Sequence, residues 1–483
     1  MYLNSEGMLT LILILANLFA IYFFGYFVLN ILFFVYFLVG FTREKLRETP
    51  SKMPKISIIV PAYNEEKTIC DSLDSLVQLD YPDFEIIVVN DGSTDDTLAI
   101  LNTKLDLVRT EITTPTSEIT TAPIRNLYQS RKLPNIIVVD KENGGKADAL
   151  NAGINFASGE YIVTIDADTL LDRRSLRRIA TVFDNKDVLA TGGLITVAND
   201  TEVKNGIPVD VPMPRNPLVM FQLVEYLVSY SVGRWALSHF NVLLILSGAF
   251  SAFRKGALLA VKGFLSRYHH GRFTVCEDIE IILRLHRYFR ERGHPAKIQF
   301  YPFPIAWTEV PQTITSLARQ RNRWHRGLGE SLLLHKTVLF DPRYGRLGLF
   351  ATPYYLMFEF LSPFVKLAAT IFLVWLMLLG KLDVRFAVYL LIFVALLAGT
   401  ITATVTTLVE ARTRTISKVN LEAMRYKGWR DWLKLVGFSF LSPFIYHPLI
   451  NVFQLWGTYD FIRRKRGWYK FKRIGFGRTH HAS

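Results

Sequence analysis

The chain has 483 residues, half of them apolar, with 56 Lys and Arg against 42 Asp and Glu and only two cysteines. Its length suits roughly two to four domains, its apolar fraction argues against disorder, and Cys70 and Cys276, far apart and outside any CxxC spacing, form neither a disulfide framework nor a zinc site. The net charge of +14 falls in three stretches, +3 in residues 42–55, +3 in 410–432 and +8 in 461–483, so the remainder is neutral. All three abut hydrophobic runs, which marks the charge as juxtamembrane rather than as the basic face of a nucleic-acid binder. No nucleic acid is expected as a partner.

From Leu9 to Phe41 nearly every residue is apolar. Such a run, about 50 Å long as a helix, exceeds the ~30 Å hydrocarbon core but is too short for two crossings, so residues 1–42 are predicted to hold one long or tilted helix. It lacks the short h-region and cleavage site of a signal peptide. Arg43, Lys45 and Arg47 follow directly and place the next domain in the cytoplasm. Residues 52–312 have mixed polarity and read as that domain, and 313–346 contain an amphipathic stretch. Hydrophobic spans return at 347–380 and 385–409, joined by a short link, and the C-terminal membrane region is taken as 347–460. Within it, 433–458 is broken by Pro443 and Pro448. A re-entrant or interfacial segment there keeps the basic tail, 461–483, inside. The expectation is a multi-pass protein of the cell membrane, surrounded by lipid, with its main domain cytoplasmic.

Within 52–312, apolar strand-like runs at 56–60, 85–90, 135–140 and 161–166 alternate with helical patterns at 66–79, 94–104 and 146–157. That alternation predicts an α/β, Rossmann-like, mainly parallel sheet covered on both faces and fused to a helical membrane region. Ligands bind beyond the carboxyl ends of such strands, where each of these runs closes in a polar cluster. The Thr-rich stretch 109–122 reads as a surface loop.

The first cluster is ProAlaTyrAsnGluGlu at 61–66, where Tyr63 offers a face for a base and Glu65 a carboxylate for a ribose; an acid-rich helix N-terminus would look the same. In AsnAspGlySerThrAsp at 90–95, Gly92 and Ser93 are explained by a strand-to-helix turn, whereas Asp91 also suits a nucleoside N–H or hydroxyl. GlyGlyLys at 144–146 opens a helix and adds the Lys146 charge, an arrangement that holds phosphates or sugar oxygens. Asp166 and Asp168, two residues apart at a strand end, present two carboxylates to one side if the chain stays extended, and Mg2+ or Mn2+ would relieve their repulsion and neutralise a sugar-nucleotide diphosphate. A solvated acidic turn is the plain alternative. Cys276, Glu277 and Asp278 precede an amphipathic run; the acids suit a helix N-terminus, and Asp278 suits a general base. Finally Gln320, Arg321, Arg323 and Trp324 lie in the amphipathic stretch. They suit a membrane-surface helix, or arginines gripping a diphosphate beside an indole floor for a sugar ring.

Taken in order, AspGly, AspAlaAsp, GluAsp and GlnxxArgTrp resemble the processive family 2 glycosyltransferases of GT-A fold, which include cellulose, chitin, hyaluronan and poly-N-acetylglucosamine synthases. The resemblance covers about residues 52–335 and extends to the flanking helices. It implies that Tyr63, Glu65 and Asp91 contact uridine, that Lys146 lies near the sugar diphosphate, where Arg321 is also expected as one of the gripping arginines, and that Asp166 and Asp168 form the DxD site with Asp168 on the metal. It further implies that Glu277 and Asp278 are the catalytic pair with Asp278 as base, Cys276 standing where many members have threonine, and that Gln320, Arg323 and Trp324 line the acceptor site. Residues 247–254 resemble the segment at the acceptor end, with Arg254 a further candidate. The implied reaction is a single inverting displacement that extends a growing polysaccharide from a UDP-sugar, with UDP-N-acetylglucosamine and UDP-glucose the leading donors. The 144–151 segment is nearer the poly-N-acetylglucosamine version. The chain has fewer membrane segments than the cellulose synthases, which leaves room for a second copy or an export partner to complete a pore. Single addition to a lipid acceptor and a silent nucleotide-sugar-binding subunit are the competing readings.

Overall fold

The computed structural model describes residues 5–43, 45, 47–111, 119–294, 296–416, 428–465 and 467. Residues 112–118 of the expected Thr-rich loop, 417–427 of the second basic stretch and 468–483 of the tail lie outside the described residues.

The globular part is built on a ten-stranded sheet. In chain order the strands are β1 (Ile56–Ala62), β2 (Phe84–Asp91), β3 (Leu107–Thr110), β4 (Ile124–Ser130), β5 (Ile136–Lys141), β6 (Tyr161–Ile165), β7 (Thr169–Leu171) and β8 (Val188–Val197). After a small separate hairpin of β9 (Glu202–Lys204) and β10 (Ile207–Asp210) come β11 (Phe250–Arg254) and β12 (Lys297–Thr308). The spatial order is β3-β4-β5-β2-β1-β6-β11-β8-β12-β7. Strands β5, β2, β1 and β6 are parallel neighbours, and they are the four strands that the apolar runs predict. Helices Ile69–Val77, Thr97–Leu105 and Lys146–Phe156 occupy the predicted helical stretches. Ile56, Ile58, Ile59 and Val60, like Ile86 to Val89, are fully buried on both faces of the sheet, which is why these strands read as unbroken apolar runs. The sheet is nevertheless mixed: β11 is antiparallel to both β6 and β8, and β4 is antiparallel to β5. The chain moves from β1 outward to β5 and then returns to β6 on the other side of β1, and that reversal opens a crevice beyond the carboxyl ends.

The N-terminal helix Ser5–Phe41 is unbroken over 37 residues. Its apolar stretch is exposed to the surroundings, but its last turns dock on the globular part: Phe37 and Phe41 are buried and stack at 4.7 Å, Phe37 meets Trp235 at 6.1 Å and Phe41 meets Phe303 at 6.1 Å. Val384–Arg412 is the second helix long and apolar enough to cross a membrane. The link before it is tight, with Gly380 at φ +64° and Asp383 accepting from the Phe386 N–H at 3.1 Å.

The expected span 347–380 is not one straight helix. Leu347–Phe360 and Ser362–Leu378 are bent by 47°, with π turns at Leu347–Ala351 and Tyr355–Phe360 and Pro363, which lacks an N–H, at the break. Trp429–Leu441 and Tyr446–Ile462 are bent by 53° around Pro443, the geometry of a broken span or a re-entrant loop. With each bent pair taken as one span, the described residues hold up to four. The expected amphipathic helix is Ile314–Leu334, capped by Thr313, whose Oγ1 accepts from the Ser316 N–H at 3.2 Å. It packs along Tyr446–Ile462.

Candidate active site

At the ends of β1 and β2 most of the acids are built into the loops. Tyr63 is 39% exposed at the mouth of β1. Glu65 is buried: its carboxylate accepts from Thr68 Oγ1 at 2.9 Å and its N–H donates to Thr97 Oγ1 at 2.8 Å, so it organises a helix start. Asp91 is also buried, accepting from Lys141 Nζ at 2.7 Å and from the Gly144 and Gly145 N–H groups at 2.9 and 2.8 Å. Gly145, at φ +86°, turns the chain into helix Lys146–Phe156, a backbone conformation that a side chain would strain. Glu65 and Asp91 were expected to face a nucleoside. As placed, their carboxylates shape the loops that would hold one, and Tyr63 remains the exposed group.

The chemistry gathers around Lys146. Its Nζ pairs with Asp166 at 2.6 Å and with Glu277 at 2.9 Å, and donates to the Gly248 carbonyl at 3.3 Å. One ammonium thus joins the first turn of its own helix, the end of β6, the helix Glu277–Arg290 and the turn before β11. The Gly248 N–H donates to Asp278 Oδ2 at 3.2 Å. A Cβ at position 248 would lie 2.9 Å from Lys146 Nζ and 3.5 Å from Asp278 Oδ2, so a side chain there would press on the end of the lysine where this backbone passes between it and the base candidate.

Burial disfavours the Lys146 charge, but Asp166 and Glu277 outweigh it and raise its pKa. Burial alone would raise the Glu277 carboxyl; the charge of Lys146 and its hydrogen bond outweigh that and hold it below the usual range. Asp278 goes the other way, pushed up to about 6 by burial and by the Glu277 carboxylate, with Lys146, Arg323 and Arg234 opposing. Two adjacent acids of one helix turn are thereby separated into a fixed carboxylate and a titratable one, as acid–base chemistry requires.

Asp166 and Asp168 stand in a turn rather than in the extended chain that the prediction assumed. Strand β6 stops at Ile165, and a turn closed by the Thr169 N–H on the Asp166 carbonyl at 3.0 Å follows. The two-residue alternation holds only in extended chain; here Asp166 stays partly exposed against Lys146, whereas Asp168 is 1% exposed. Among the described residues no group of three or more His, Cys, Asp or Glu side chains gathers to hold a metal. Two hard carboxylates are nevertheless a sufficient protein share for Mg2+ or Mn2+, which takes the rest of its shell from phosphate and water, so the pair fits an ion that arrives with a diphosphate.

Helix Ile314–Leu334 holds the loop that leads into Glu277 and Asp278. Arg323 Nη1 donates to the Val275 carbonyl at 3.3 Å, and Cys276 Sγ approaches the Arg323 carbonyl at 3.7 Å. Glu330 accepts from Thr274 Oγ1 and from the Val275 N–H, both at 3.0 Å. Gln320 and Trp324 are half-buried on the same helix, and Gln320 Oε1 is buried without a hydrogen-bond partner among the described residues. Arg321, expected at the diphosphate, serves elsewhere. Its two terminal nitrogens donate to Glu225 at 2.5 and 2.6 Å, the Tyr446 hydroxyl donates to the same carboxylate at 2.7 Å, and the guanidinium lies 4.5 Å over the Trp324 ring. Arg254 is likewise misplaced by the sequence reading. Antiparallel pairing puts Phe250 opposite Ile165 at the site and Arg254 opposite Tyr161 at the far end, where its Nε donates to Val188 O at 2.8 Å.

The sequence reading missed Glu225, Glu330, Arg234 and the separate role of Gly248. Glu225 meets Arg321 across 96 residues of chain, and no local pattern announces such a pair.

A mainly parallel sheet with a DxD turn at the end of β6, a GluAsp helix start and a lysine joining them defines a glycosyltransferase of GT-A fold. The chain belongs to the family 2 glycosyltransferases: the family model "Glycosyl transferase family 2" matches residues 57–110 and "Glycosyltransferase like family 2" matches 124–327, between them more than half of the chain. It is similar to the poly-beta-1,6-N-acetyl-D-glucosamine synthase of Staphylococcus epidermidis, 29% identical over 312 residues, and to that of Staphylococcus aureus (strain COL), 28% identical over 313 residues. Each alignment covers 62% of this chain and 63% of the relative's own length. Among solved structures it resembles the mannosyltransferase PcManGT of Pyrobaculum calidifontis in complex with GDP-Man and Mn2+, with TM-score 0.56 and 17% identity, over 94% of this chain and 100% of that one. This last likeness concerns the fold alone.

Proposed function

We propose that the protein is a membrane-embedded, inverting β-glycosyltransferase that extends a polysaccharide from a UDP-activated sugar, UDP-N-acetylglucosamine or UDP-glucose, and remains with the chain as it grows. The observation that carries this reading is the Lys146 bridge to Asp166 and Glu277 beside the raised Asp278 carboxyl. It joins the donor end of the sheet to the base within one cluster. The similarity to poly-beta-1,6-N-acetyl-D-glucosamine synthases supports a polysaccharide product and an N-acetylglucosamine donor.

In this reading Tyr63 stacks the base of the nucleotide, and the Asp91-held Gly144–Gly145 turn and Lys146 face its sugar diphosphate. Asp278, on a half-buried helix start, removes the proton from the acceptor hydroxyl as that oxygen attacks the anomeric carbon from the face opposite UDP. Lys146 and Arg323 lie where negative charge is exchanged and stabilise it without rearrangement. Asp166 and Asp168 would hold Mg2+ or Mn2+, which when bound would supply Lewis-acid neutralisation of the leaving diphosphate. Gln320 and Trp324 hold the non-reducing end of the acceptor. The domain, 52–312, sits on the cytoplasmic side of the cell membrane; residues 1–42 and 347–460 anchor it, 313–346 lie along the interface, and the tail 461–483 stays inside. A second copy or an export partner completes the route out.

Membranes containing the protein, given each UDP-sugar and Mn2+, are expected to release UDP and accumulate a long polymer. One added sugar per acceptor would end the processive part of the reading. Single addition to a lipid is favoured by one feature, an apolar cavity of about 610 Å³ between the N-terminal helix and the bent pair, lined by Leu18, Tyr22, Gly25, Leu29, Tyr354 and Phe358 among others. A discrete glycolipid in the lipid extract would select it.

A further inference from the structure

Helix Pro217–Val228 runs into a π turn, Ser229–Arg234, before Trp235–His239. The turn brings Arg234 back over Tyr230, its guanidinium carbon 3.8 Å from the ring centroid. The Tyr230 hydroxyl donates to Ser247 Oγ at 3.3 Å. Ser247 begins the turn in which the Gly248 N–H holds Asp278 at 3.2 Å and the Gly248 carbonyl accepts from Lys146 at 3.3 Å. Two contacts therefore separate Arg234 from the turn that touches both the base and the bridging lysine. The Arg234 charge also reaches Asp278, Tyr226 and Tyr355, and Tyr226 packs on Tyr230 with ring centroids 5.3 Å apart.

Arg234 nonetheless has a buried Nη1 with no hydrogen-bond partner among the described residues. A guanidinium N–H removed from water and left without an acceptor is costly, because folding forfeits its hydration and returns nothing. Arg321 shows the contrasting arrangement, with both terminal nitrogens on Glu225. An occupant of the cleft beside Asp278, which the Arg234 charge reaches, can supply that acceptor. It has to lie beside Asp278, at the face of tyrosine rings, and to carry neutral or weakly charged oxygens, because the adjacent carboxylates of Glu277 and Asp278 already supply the anionic charge.

We propose that Arg234 binds the terminal sugar of the acceptor, its buried Nη1–H donating to a hydroxyl or acetamide oxygen of the residue whose hydroxyl Asp278 deprotonates, with the ring of Tyr230 bracing the guanidinium. This rests on the reading of the cluster as the transfer site. It adds to that reading a residue outside the four sequence motifs, and it makes the π turn the element that sets the acceptor's position. A π turn advances a helix by an extra residue and re-aims the side chains after it.

The groups facing Asp278 are Glu277, Lys146, Arg323, Arg234 and the Cys276 thiol. Arg234 favours the Asp278 carboxylate, so its removal raises that pKa further. The acidic limb of the rate profile then moves to higher pH. Lysine at 234 keeps the charge and loses the fork.

The test uses the full chain in membranes with UDP-N-acetylglucosamine or UDP-glucose as donor and a short β-linked oligosaccharide of the same sugar as acceptor. Arg234→Gln is expected to raise the KM for the oligosaccharide about 10- to 100-fold, leave the donor KM unchanged and shift the acidic limb upward. Arg234→Lys is expected to raise the acceptor KM while leaving the limb in place. This variant keeps the proposal falsifiable if Arg234→Gln does not fold. A raised donor KM with an unchanged acceptor KM, or no change in either, overturns the proposal. A wild-type protein that releases no UDP from either donor removes the reading of the site itself, whereas wild-type transfer that is indifferent to Arg234 removes this inference alone.

Discussion

Two acidic regions of this molecule look alike in sequence and differ in structure. Glu65 and Asp91 follow parallel strands, as Asp166 does, yet their carboxylates are held by backbone N–H groups, a threonine and the buried Lys141. Asp166, Glu277 and Asp278 instead surround one lysine and one glycine turn. In the first region the donors are fixed by the fold and the charge stabilises a loop. In the second, two carboxylates share one ammonium and a third is left with a raised pKa. An acid at a strand end acquires chemistry when the protein satisfies it incompletely, and architecture when it satisfies it fully.

The largest effect that would break this comparison is at Asp278. Asp278→Asn is expected to lower glycosyl transfer by about 10²- to 10⁴-fold while nucleotide binding and thermal stability are kept; transfer that survives would place the base elsewhere. Asp91→Ala is expected to act through stability. It leaves Lys141, 0% exposed, with Asp148 alone, at a cost of about 3 kcal/mol in a chemical or thermal unfolding measurement, and a fully stable Asp91→Ala with impaired donor binding would return Asp91 to the nucleoside. A smaller effect of the same kind is expected at Arg321→Met. Its partner Glu225 is a quarter exposed, so the loss is about 2 kcal/mol, with the donor KM unchanged in the protein that folds. A raised donor KM at wild-type stability would restore the diphosphate role predicted from sequence.

Much of this was legible in the residues. The continuous apolar runs of β1, β2, β5 and β6 identify a parallel sheet because both of its faces are buried, and the polar residues that close them identify the edge where the site lies. The antiparallel β11 was not legible, and with it the position of Arg254: the direction in which a strand is inserted depends on partners distant in the chain. The AspAlaAsp pair was visible at the end of an apolar run, but the strand's end at Ile165 decides how exposed each carboxylate is. Arg321 and Arg323 differ by two positions on one helix. Only packing shows that the first faces Glu225 and the second the loop before Glu277. Pro363 stands in the sequence, but in a hydrophobic run composition outweighs a single missing N–H, so the 47° bend it marks is not visible there.

If Asp278 is the titratable base within the Lys146 cluster, the pH dependence of kcat/KM for transfer shows it most directly. With its pKa raised to about 6, Asp278 is a carboxylate above that pH and becomes protonated below it. The rate should therefore be level near neutrality and fall about tenfold per unit on the acid side of about 6 in protein that is still folded. A profile that stays level down to pH 4 would contradict it.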